Sequence, residues 1–257
     1  CIRDRFRTDW KGDYIPVGAE KNRNEYRESG NRKGIYLYSE GVDKQDPAWG
    51  TIALVTSSTG QVSYRTSSKA DSWNNAILNF WDDFSEDGVM VEREQPSDED
   101  PMASLAVKKT IAPQATETFV FYLTWNFPNR KGWSFTIVGN YYSRQFADAW
   151  EVAEKVIPRM KQLEEETLLF VRSFLNSSYP ETVKEAALFN LATLRSQTVF
   201  RLPSGHLMGW EGIMDRFGSC QGSCTHVWNY EMATPFLFGG LAQTCLLYTS
   251  PSPRDPK

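Results

Sequence analysis

The sequence predicts a chain in two parts, an all-β part followed by an all-α part. Up to about residue 140, short runs of β-branched and aromatic residues are separated by turn residues. After Tyr142, apolar residues recur at steps of three and four, which is the helical period. Strands and helices do not alternate along the chain. We therefore predict a β-sandwich over residues 1–142 and a helical domain over residues 143–245.

Several segments of the first part have strand composition. IALVTSS (52–58) and QVSYRTS (61–67) flank Thr59-Gly60, and we interpret them as a hairpin. Residues 104–110 and 117–126 follow as strands. The second of these, rich in β-branched and aromatic residues, is expected in a sandwich core, and 134–142 is expected to be another strand.

One helix is predicted inside the β part, since apolar side chains recur there at helical spacing before a glycine. Gly88 is expected to end this helix, and the acidic stretch Glu92–Pro101 is expected to be a solvated loop. The apolar residues of the helix are Trp73, Ile77, Phe80, Trp81 and Phe84.

Two helices are predicted after Tyr142. Ser143 is expected to cap a long amphipathic helix that runs to Leu175, with Pro158 kinking or breaking it. A second helix is expected to start at Tyr179-Pro180, because proline suits a first helical turn. Its predicted apolar face consists of Val183, Ala187, Asn190, Leu191 and Leu194.

The composition of the chain argues against several classes of function. The 257 residues are 40% hydrophobic and 23% charged with a net charge of −4, which is typical of a globular protein and argues against nucleic acid as a partner. No apolar run is long enough to span a membrane. The Cys220/Cys224 pair has no partner pair, so we expect ordinary thiols, no structural zinc and no cofactor. The start at Cys1 suggests an incomplete N-terminus, and the compartment and oligomeric state are left open.

Residues 192–242 contain the motifs TLRSQT, GWEG and GSCTHVWNYE, and upstream the chain has WDDFSEDG (81–88) and NYYSRQFADAWEVA (140–153). In these motifs the chain resembles family-116 glycoside hydrolases, which include β-glucosidases, glucosylceramidases and β-xylosidases, and in particular their bacterial branch. The resemblance implies an N-terminal β-sandwich followed by an (α/α)6 barrel, incomplete here, and retaining hydrolysis of a glucoside or a glucosylceramide-like substrate.

The resemblance makes Glu211, in Met208-Gly209-Trp210-Glu211-Gly212, the nucleophile. A retaining glycosidase uses two carboxyl groups about 5–5.5 Å apart. The family's second carboxylate, an Asp, lies far downstream, so we expect this sequence to lack it. His226 stands where many members have an Asp that binds sugar hydroxyls, and we predict that role for His226.

Several other residues of these segments can be interpreted as functional or as structural. Trp228 is either a sugar platform or a core residue, and Glu231 either binds sugar hydroxyls or begins a helix. Asp215 is a rival carboxylate that we interpret as a loop residue, and Arg195 either pairs with a site carboxylate or ends a helix. His206, after Pro203-Ser204-Gly205, is expected to be solvated.

Two alternatives stay open. The chain could be a non-catalytic carbohydrate-binding β-sandwich with a helical appendage, which would bind through Trp81, Trp125 and Trp133. With the same fold, the substrate could also be a β-xyloside or an N-acetylglucosaminide. Residues 246–257 are rich in Pro and Ser and are typical of a translated adapter, so we interpret them as an artefactual tail without defined structure. We also expect the helical part to be poorly stable alone, because a helical barrel needs its closing helices.

Overall fold

The computed structural model describes residues 16–68, 76–92, 101–132, 136–195, 199–209 and 233–249. The chain divides into two compact units. The first comprises Cys1–Pro128 and Phe146–Pro158, and the second comprises Asn129–Gln145 and Arg159–Lys257.

Among its described residues, the first unit has two antiparallel sheets and two helices. The larger sheet has the strand order β1-β2-β3-β6, and the smaller pairs β4 with β5. The strands are β1 (Asn22–Ser29), β2 (Arg32–Ser39), β3 (Thr51–Thr56), β4 (Gln61–Arg65), β5 (Ser104–Lys108) and β6 (Phe121–Asn126). The helices are α1 (Ala76–Asp87) and α2 (Ala149–Val156). Antiparallel sheets followed by helices confirm the predicted order of β and then α.

The larger sheet is covered on both faces, and alternate residues of its strands serve the two sides. On one side, Ile35 and Leu37 of β2 are fully buried in a cluster that Tyr64 and Leu105 of the smaller sheet complete. The rings of Tyr26 and Tyr64 stack there with centroids 3.9 Å apart. On the other side, Ala53 and Val55 of β3 pack against Trp150 and Ala153 of α2. β2 and β3 are therefore the core strands of this unit.

The helix predicted over the Ile77–Phe84 region is confirmed as α1, and it ends at Gly88 as predicted. Gly88 has φ +76°, the left-handed region that favours glycine, and its N–H donates to the Phe84 carbonyl at 2.8 Å. Trp73 and most of the predicted loop, residues 93–100, lie outside the described residues. Glu92, at the start of that loop, is half-buried and accepts from the Thr66 hydroxyl at 2.7 Å.

The predicted hairpin around Thr59-Gly60 is wrong. Both strands exist as β3 and β4, but they belong to different sheets. After β3 the chain stays beside the start of β6, because the Thr56 hydroxyl donates to the Val120 carbonyl at 2.7 Å and the Val120 N–H donates to the Ser58 hydroxyl at 2.8 Å. These bonds carry the chain past the position at which a two-residue turn would have reversed it.

Two further strand predictions need correction. β6 is confirmed as a strand, but it lies at the end of its sheet and exposes alternate apolar residues, Phe121, Leu123 and Trp125, so it is not a core strand. The described residues of 134–142 form no strand beyond a single bridge between Lys131 and Ile137. The Val138 and Gly139 N–H groups both donate to the Arg130 carbonyl, and Gly139 has φ +77°, so the chain leaves the extended conformation there.

The first helix after Tyr142 begins later than predicted. Its N-cap is Asp148, whose carboxylate accepts from the Glu151 N–H at 2.8 Å. The Ser143 hydroxyl instead donates to the Asn140 carbonyl at 2.7 Å, within a 3-10 turn over Tyr142–Arg144. The predicted break at Pro158 is confirmed, since residues 157–159 form a 3-10 turn between two helices.

The described part of the second unit is mainly helical and contains a short hairpin. Its elements are α3 (Met160–Leu175), α4 (Glu181–Asn190), a 3-10 turn (Leu191–Arg195), β7 (Val199–Arg201), β8 (Leu207–Gly209), α5 (Ala233–Leu237) and α6 (Gly239–Thr249). α4 follows Pro180 directly, close to the predicted start. α6 extends to Thr249, so the first residues of the predicted structureless tail are helical, and residues 250–257 lie outside the described residues.

The predicted apolar face of α4 is wrong at its first residue, whereas Ala187, Asn190, Leu191 and Leu194 are partly buried. Val183 is half-exposed, whereas the neighbouring Lys184 is buried. The Lys184 ammonium group donates to the Leu175 carbonyl at 2.7 Å and pairs with Glu181 at 2.8 Å. A cation on the free carbonyls at the end of α3 is electrostatically favourable. This bond holds the Lys184 side of α4 against the end of α3. Among the described helices, none combines the length and apolar character needed to cross a membrane.

Candidate functional site

The hairpin of β7 and β8 is the described element nearest in sequence to the predicted nucleophile. The chain reverses at Gly205, which has φ +97° and donates its N–H to the Leu202 carbonyl at 2.8 Å. The Leu202 N–H donates to the His206 carbonyl at 2.9 Å, and the Arg201 Nε donates to the Gly205 carbonyl at 2.9 Å. The turn is therefore closed by three hydrogen bonds.

Both faces of the hairpin are buried, although each strand has only three residues. On one face, Val199 and Leu207 pack with Cys245 of α6. On the other face, Phe200 and Met208 pack with Val138 and Leu202. Met208 is only 1% exposed, so the strand that leads toward residue 211 is enclosed along its length.

Both edges of the hairpin are also bonded. The Tyr141 N–H donates to the Arg201 carbonyl at 2.9 Å on the β7 edge. The Leu207 N–H donates to the Thr244 hydroxyl of α6 at 3.0 Å on the β8 edge. The Arg201 guanidinium lies 3.8 Å from the centre of the Tyr141 ring, which adds a cation–π contact on the first edge. Hydrogen bonds and packing thus fix the hairpin from four sides.

The predicted site residues themselves lie in the segment 210–232, outside the described residues. This holds for Glu211, His226, Trp228 and Glu231, and for the rival carboxylate Asp215. β8 ends at Gly209, two residues before Glu211 in the sequence. The roles assigned to these five residues therefore stay predictions.

Two neighbouring predictions can be compared with the structure. His206 is exposed in the turn, with its Nδ1 2.8 Å from the Ser204 hydroxyl, so the solvated interpretation is confirmed. Arg195 lies in the 3-10 turn Leu191–Arg195 that follows α4, and residues 196–198 lie outside the described residues. The structure does not describe the Arg195 side chain, so its pairing with a site carboxylate stays a prediction.

The perturbed ionisable groups of the described residues, Tyr26, Tyr36, Tyr38 and Glu151, lie in the first unit, and two of them, Tyr36 and Glu151, lie around α2. The hydrogen bond from Lys155 holds the pKa of the Glu151 carboxyl below its usual value, and the Ala147 N–H acts in the same direction. Burial raises the pKa of Tyr36 to about 12, and the negative charge of Asp148 adds to this rise. These shifts belong to the capping of α2 and to its contact with the sheet, and they do not form an acid/base pair.

Within the described ranges, no group of three or more His, Cys, Asp and Glu side chains comes close enough together to hold a metal ion. Cys245, the cysteine inside these ranges, is buried in the cluster with Val199 and Leu207.

Sequence reasoning missed the β7–β8 hairpin, although the signal was present. The segment VFRLPSGHLMG has β-branched, aromatic and other apolar residues on both sides of Pro203-Ser204-Gly205, which is the composition of a hairpin with a glycine in its loop. The TLRSQT motif before it and the GWEG motif after it had drawn the interpretation toward helices and loops. The predicted nucleophile therefore comes two residues after a strand in the sequence.

Comparison with known proteins gives one positive finding. The family model described as beta-glucosidase 2, glycosyl-hydrolase family 116 N-term, matches residues 9–163. Among the curated proteins, none matches the chain. The family match includes the WDDFSEDG motif of α1 and the ADAWEVA segment around α2, which carried part of the predicted resemblance. Because it spans more than half of the 257 residues, the chain belongs to glycosyl-hydrolase family 116.

Proposed function

We propose that the chain serves in the retaining hydrolysis of β-glucosides, including glucosylceramide-like substrates, with Glu211 as the nucleophile. The observation that carries the proposal is the family match over residues 9–163, with the GWEG motif following a strand, β8, that is buried on both faces. We further propose the finer architecture implied by the resemblance. In it the two sheets form a β-sandwich over residues 1–142, and the helices from 143 to 245 belong to an (α/α)6 barrel.

The proposed reaction has two steps. In the first, a carboxylate oxygen of Glu211 attacks the anomeric carbon, the bond to the aglycone oxygen breaks, and an acid donates a proton to that oxygen. In the second, water attacks the anomeric carbon, its proton passes to the conjugate base, and Glu211 leaves as a carboxylate. His226 and Glu231 are proposed to bind sugar hydroxyls, and Trp228 to stack on the ring.

The first step can be tested without an acid. A dinitrophenyl 2-deoxy-2-fluoro-β-glucoside has a leaving group that departs without protonation, and its fluorine destabilises the oxocarbenium-like transition states, so the glycosyl ester accumulates. We expect the intact mass of the protein to rise by one fluoroglucosyl group, and peptide mapping to place that group on Glu211. Glu211→Gln should abolish the adduct.

The control is Glu185→Gln, which changes an exposed carboxylate of α4 and should leave the adduct as it is in the parent protein. An adduct on any other carboxylate, or an undiminished one in Glu211→Gln, would refute the nucleophile assignment. The same reagent built on xylose tests the alternative substrate, since faster labelling by the xyloside than by the glucoside would make the protein a β-xylosidase.

Exposed tryptophans support a second candidate, carbohydrate binding by the first unit without catalysis. Trp81 of α1 is 59% exposed and Trp125 of β6 is 48% exposed, and flat aromatic faces are suited to stacking on sugar rings. Trp133 lies outside the described residues. Titration of oligosaccharides into the whole chain should then give binding that Trp125→Ala weakens.

A matched control exists on the same strand, because Leu123 is 54% exposed and has no aromatic ring. Under the binding hypothesis, Leu123→Ala leaves the affinity unchanged whereas Trp125→Ala lowers it. Equal effects of the two substitutions, or no binding in the parent protein, would exclude this candidate.

A further inference from the structure

We propose that β6 is an interaction surface at which two copies of the chain pair edge to edge. Among the described strands, β6 lies at the end of the larger sheet and pairs with β3 alone. An open strand edge presents backbone N–H and C=O groups that can pair with a further strand. The partner is the β6 strand of a second copy, which runs antiparallel to the first. This pairing is independent of the proposed reaction.

The backbone of β6 directs alternate residues toward its open edge. The Glu40 N–H, just after β2, donates to the Lys21 carbonyl, just before β1, so the even-numbered residues of β2 bond to β1. Alternation through the registers of β2, β3 and β6 then leaves Tyr122 and Thr124 bonded to β3. The residues of β6 whose N–H and C=O groups point away from β3 are therefore Phe121, Leu123 and Trp125.

The same three residues carry the exposed apolar side chains of the strand. Phe121 is 43% exposed, Leu123 is 54% exposed and Trp125 is 48% exposed. In an antiparallel pair of β6 strands centred on Leu123, this residue lies opposite its own counterpart and Phe121 lies opposite Trp125. Aromatic side chains paired across strands in this way stabilise a sheet. The contact is self-complementary, so a two-fold axis closes it at two copies.

The distribution of charge favours β6 over the other edge of the sheet as the partner. β6 contains no charged residue, and the nearest charge before it, Glu117, is paired with Lys109 at 2.7 Å. Two β6 strands therefore meet without like-charge repulsion. β1, at the opposite edge, carries charged side chains along its length, and its Asn24 amide donates to the Thr66 and Pro101 carbonyls. Charged edge strands are protected against pairing, so β1 is disfavoured as the partner.

The length of β6 limits the strength of the association. Six residues per copy form an interface smaller than the about 20–30 residues a side that stable complexes use. We therefore expect a reversible pair whose population depends on protein concentration.

The test is sedimentation of the full chain at concentrations from about 1 to about 200 µM. We expect the average mass to rise with concentration from one chain toward two. Leu123→Lys places two like charges opposite each other at the centre of the pair, so it should give a single chain throughout, and Leu123→Glu should do the same. An equimolar mixture of the two variants should associate at least as well as the parent chain, because opposite charges then face each other. Leu169→Lys makes the same change at an exposed residue of α3 and should keep the parent curve.

Hydrogen exchange in the parent chain gives a second measurement that needs no variant. The Leu123 N–H becomes paired only when two copies meet, so its exchange should slow by at least about 10-fold between the lowest and the highest concentration. The Tyr122 and Thr124 N–H groups bond to β3 within one copy, and their exchange should change little. Equal changes at all three amides, or none at Leu123, would contradict edge pairing.

The other outcomes also decide the proposal. A parent chain that stays single over the whole range would overturn it. Association that Leu123→Lys leaves intact and Leu169→Lys abolishes would make α3 the interface. Failure of the mixed variants to associate would refute the pairing about Leu123. A single chain whose oligosaccharide binding requires Trp125 would assign the exposed residues of β6 to sugar binding and not to a second copy.

Discussion

A single buried arginine joins three parts of the first unit. Arg65 of β4 is 1% exposed, and its guanidinium pairs with Asp83 of α1. Its Nε donates to the Val91 carbonyl at 3.2 Å, and the Asp83 carboxylate accepts from the Val91 N–H at 3.0 Å. One side-chain pair thus holds a strand, a helix and the chain that follows the helix. Glycine at 88 ends α1, and this pair holds α1 against the sheet.

Because Arg65 and Asp83 pair in this way, we expect a conservative substitution of Asp83 to lower the stability of the first unit strongly. Asp83→Asn keeps the shape of the side chain but leaves the Arg65 charge buried without a counter-charge, which costs about 3–5 kcal/mol in comparable buried pairs. The measurement is the free energy of unfolding from urea denaturation. Asp82→Asn is the control, because Asp82 is exposed and its substitution should change stability by less than about 0.5 kcal/mol. Equal effects at the two positions would show that the pair contributes nothing.

Because Tyr36 is buried, we expect the free energy of unfolding to depend on pH in the alkaline range. Burial raises its folded-state pKa to about 12, with the Asp148 charge adding to the rise and Thr51 and Arg27 opposing it. The unfolded phenol has a pKa of about 10. Because the folded pKa is the higher one, the contribution of Tyr36 is fully present below pH 10 and is lost as pH rises toward 12.

Denaturant titrations at a series of pH values from 8 to about 12 therefore should show a fall in the free energy of unfolding above pH 10. In Tyr36→Phe this fall should be shallower, since one titrating phenol is gone. Tyr179→Phe removes an exposed phenol and is the control for loss of a tyrosine hydroxyl. A Tyr36→Phe curve parallel to the parent curve would mean that Tyr36 titrates alike in both states.

At the scale of elements, the start of α2 is fixed by its side chains. The Asp148 carboxylate accepts from the Glu151 N–H, and the Glu151 carboxylate accepts in return from the Ala147 N–H. The Ala149 N–H donates to the Thr51 hydroxyl at 2.8 Å, which joins the helix start to β3. These bonds satisfy N–H groups that have no partner inside the helix.

Removal of this cap should destabilise the first unit. We expect Asp148→Ala to lower the free energy of unfolding by about 1 kcal/mol, the usual value of an aspartate cap, and Asp148→Ser to recover most of the loss. Glu154→Ala, on the same helix but outside the cap, should be nearly neutral. Thermal and urea denaturation measure the three variants. A loss in Asp148→Ser as large as that in Asp148→Ala would show that the charge matters and the cap does not.

The elements that the sequence predicted well have local causes. The α1 helix and its end at Gly88 follow from side-chain spacing and from one backbone conformation, and the break at Pro158 follows from a missing N–H. Strand pairing is not local, so the partners of β3 and β4 could not be found in the residues between them. The start of α2 was misplaced because two candidate caps, Ser143 and Asp148, lie close together, and only the contacts of the folded chain distinguish them.

The β1–β2 hairpin was not singled out from the sequence, although it forms the longest pairing of the first unit. Its turn, Gly30-Asn31, has a glycine with φ +61° and the residue types that two-residue hairpins favour. The strands themselves carry many charged side chains, and their composition alone therefore does not resemble a core. Burial on both sides of β2 comes from the smaller sheet and α2, which lie far away in sequence.

At the scale of the whole molecule, the candidate site was predicted from motifs. The GWEG motif identified Glu211 by resemblance, and the structure describes the hairpin β7–β8, which precedes Glu211 in the sequence. The contact of this hairpin with α6 joins Leu207 and Thr244, residues 37 positions apart, and no local pattern encodes that contact. The roles of His226, Trp228 and Glu231 stay predictions on the same resemblance.

Burial is distributed unevenly between the helices and the strands. α3 is described throughout, and none of its 16 residues is buried. Its exposed apolar residues are Met160, Leu168, Leu169, Phe170 and Leu175. β2, in contrast, contains Ile35 and Leu37, both with 0% exposure. Stability within a folded chain follows the density of buried contacts, so the two elements should open with different free energies.

Native-state hydrogen exchange measures this difference amide by amide. After correction for intrinsic rates, we expect the central amides of β2 to exchange at least about 100-fold more slowly than those of α3, a difference of about 2.7 kcal/mol in opening free energy. The low stability that we expect of the helical part would then lie in α3. If α3 and β2 were equally protected and the protection of α3 disappeared on dilution, a second copy of the chain would cover α3. Equal protection of the two elements at every concentration would contradict the prediction, because the described contacts of α3 would then be sufficient without burial.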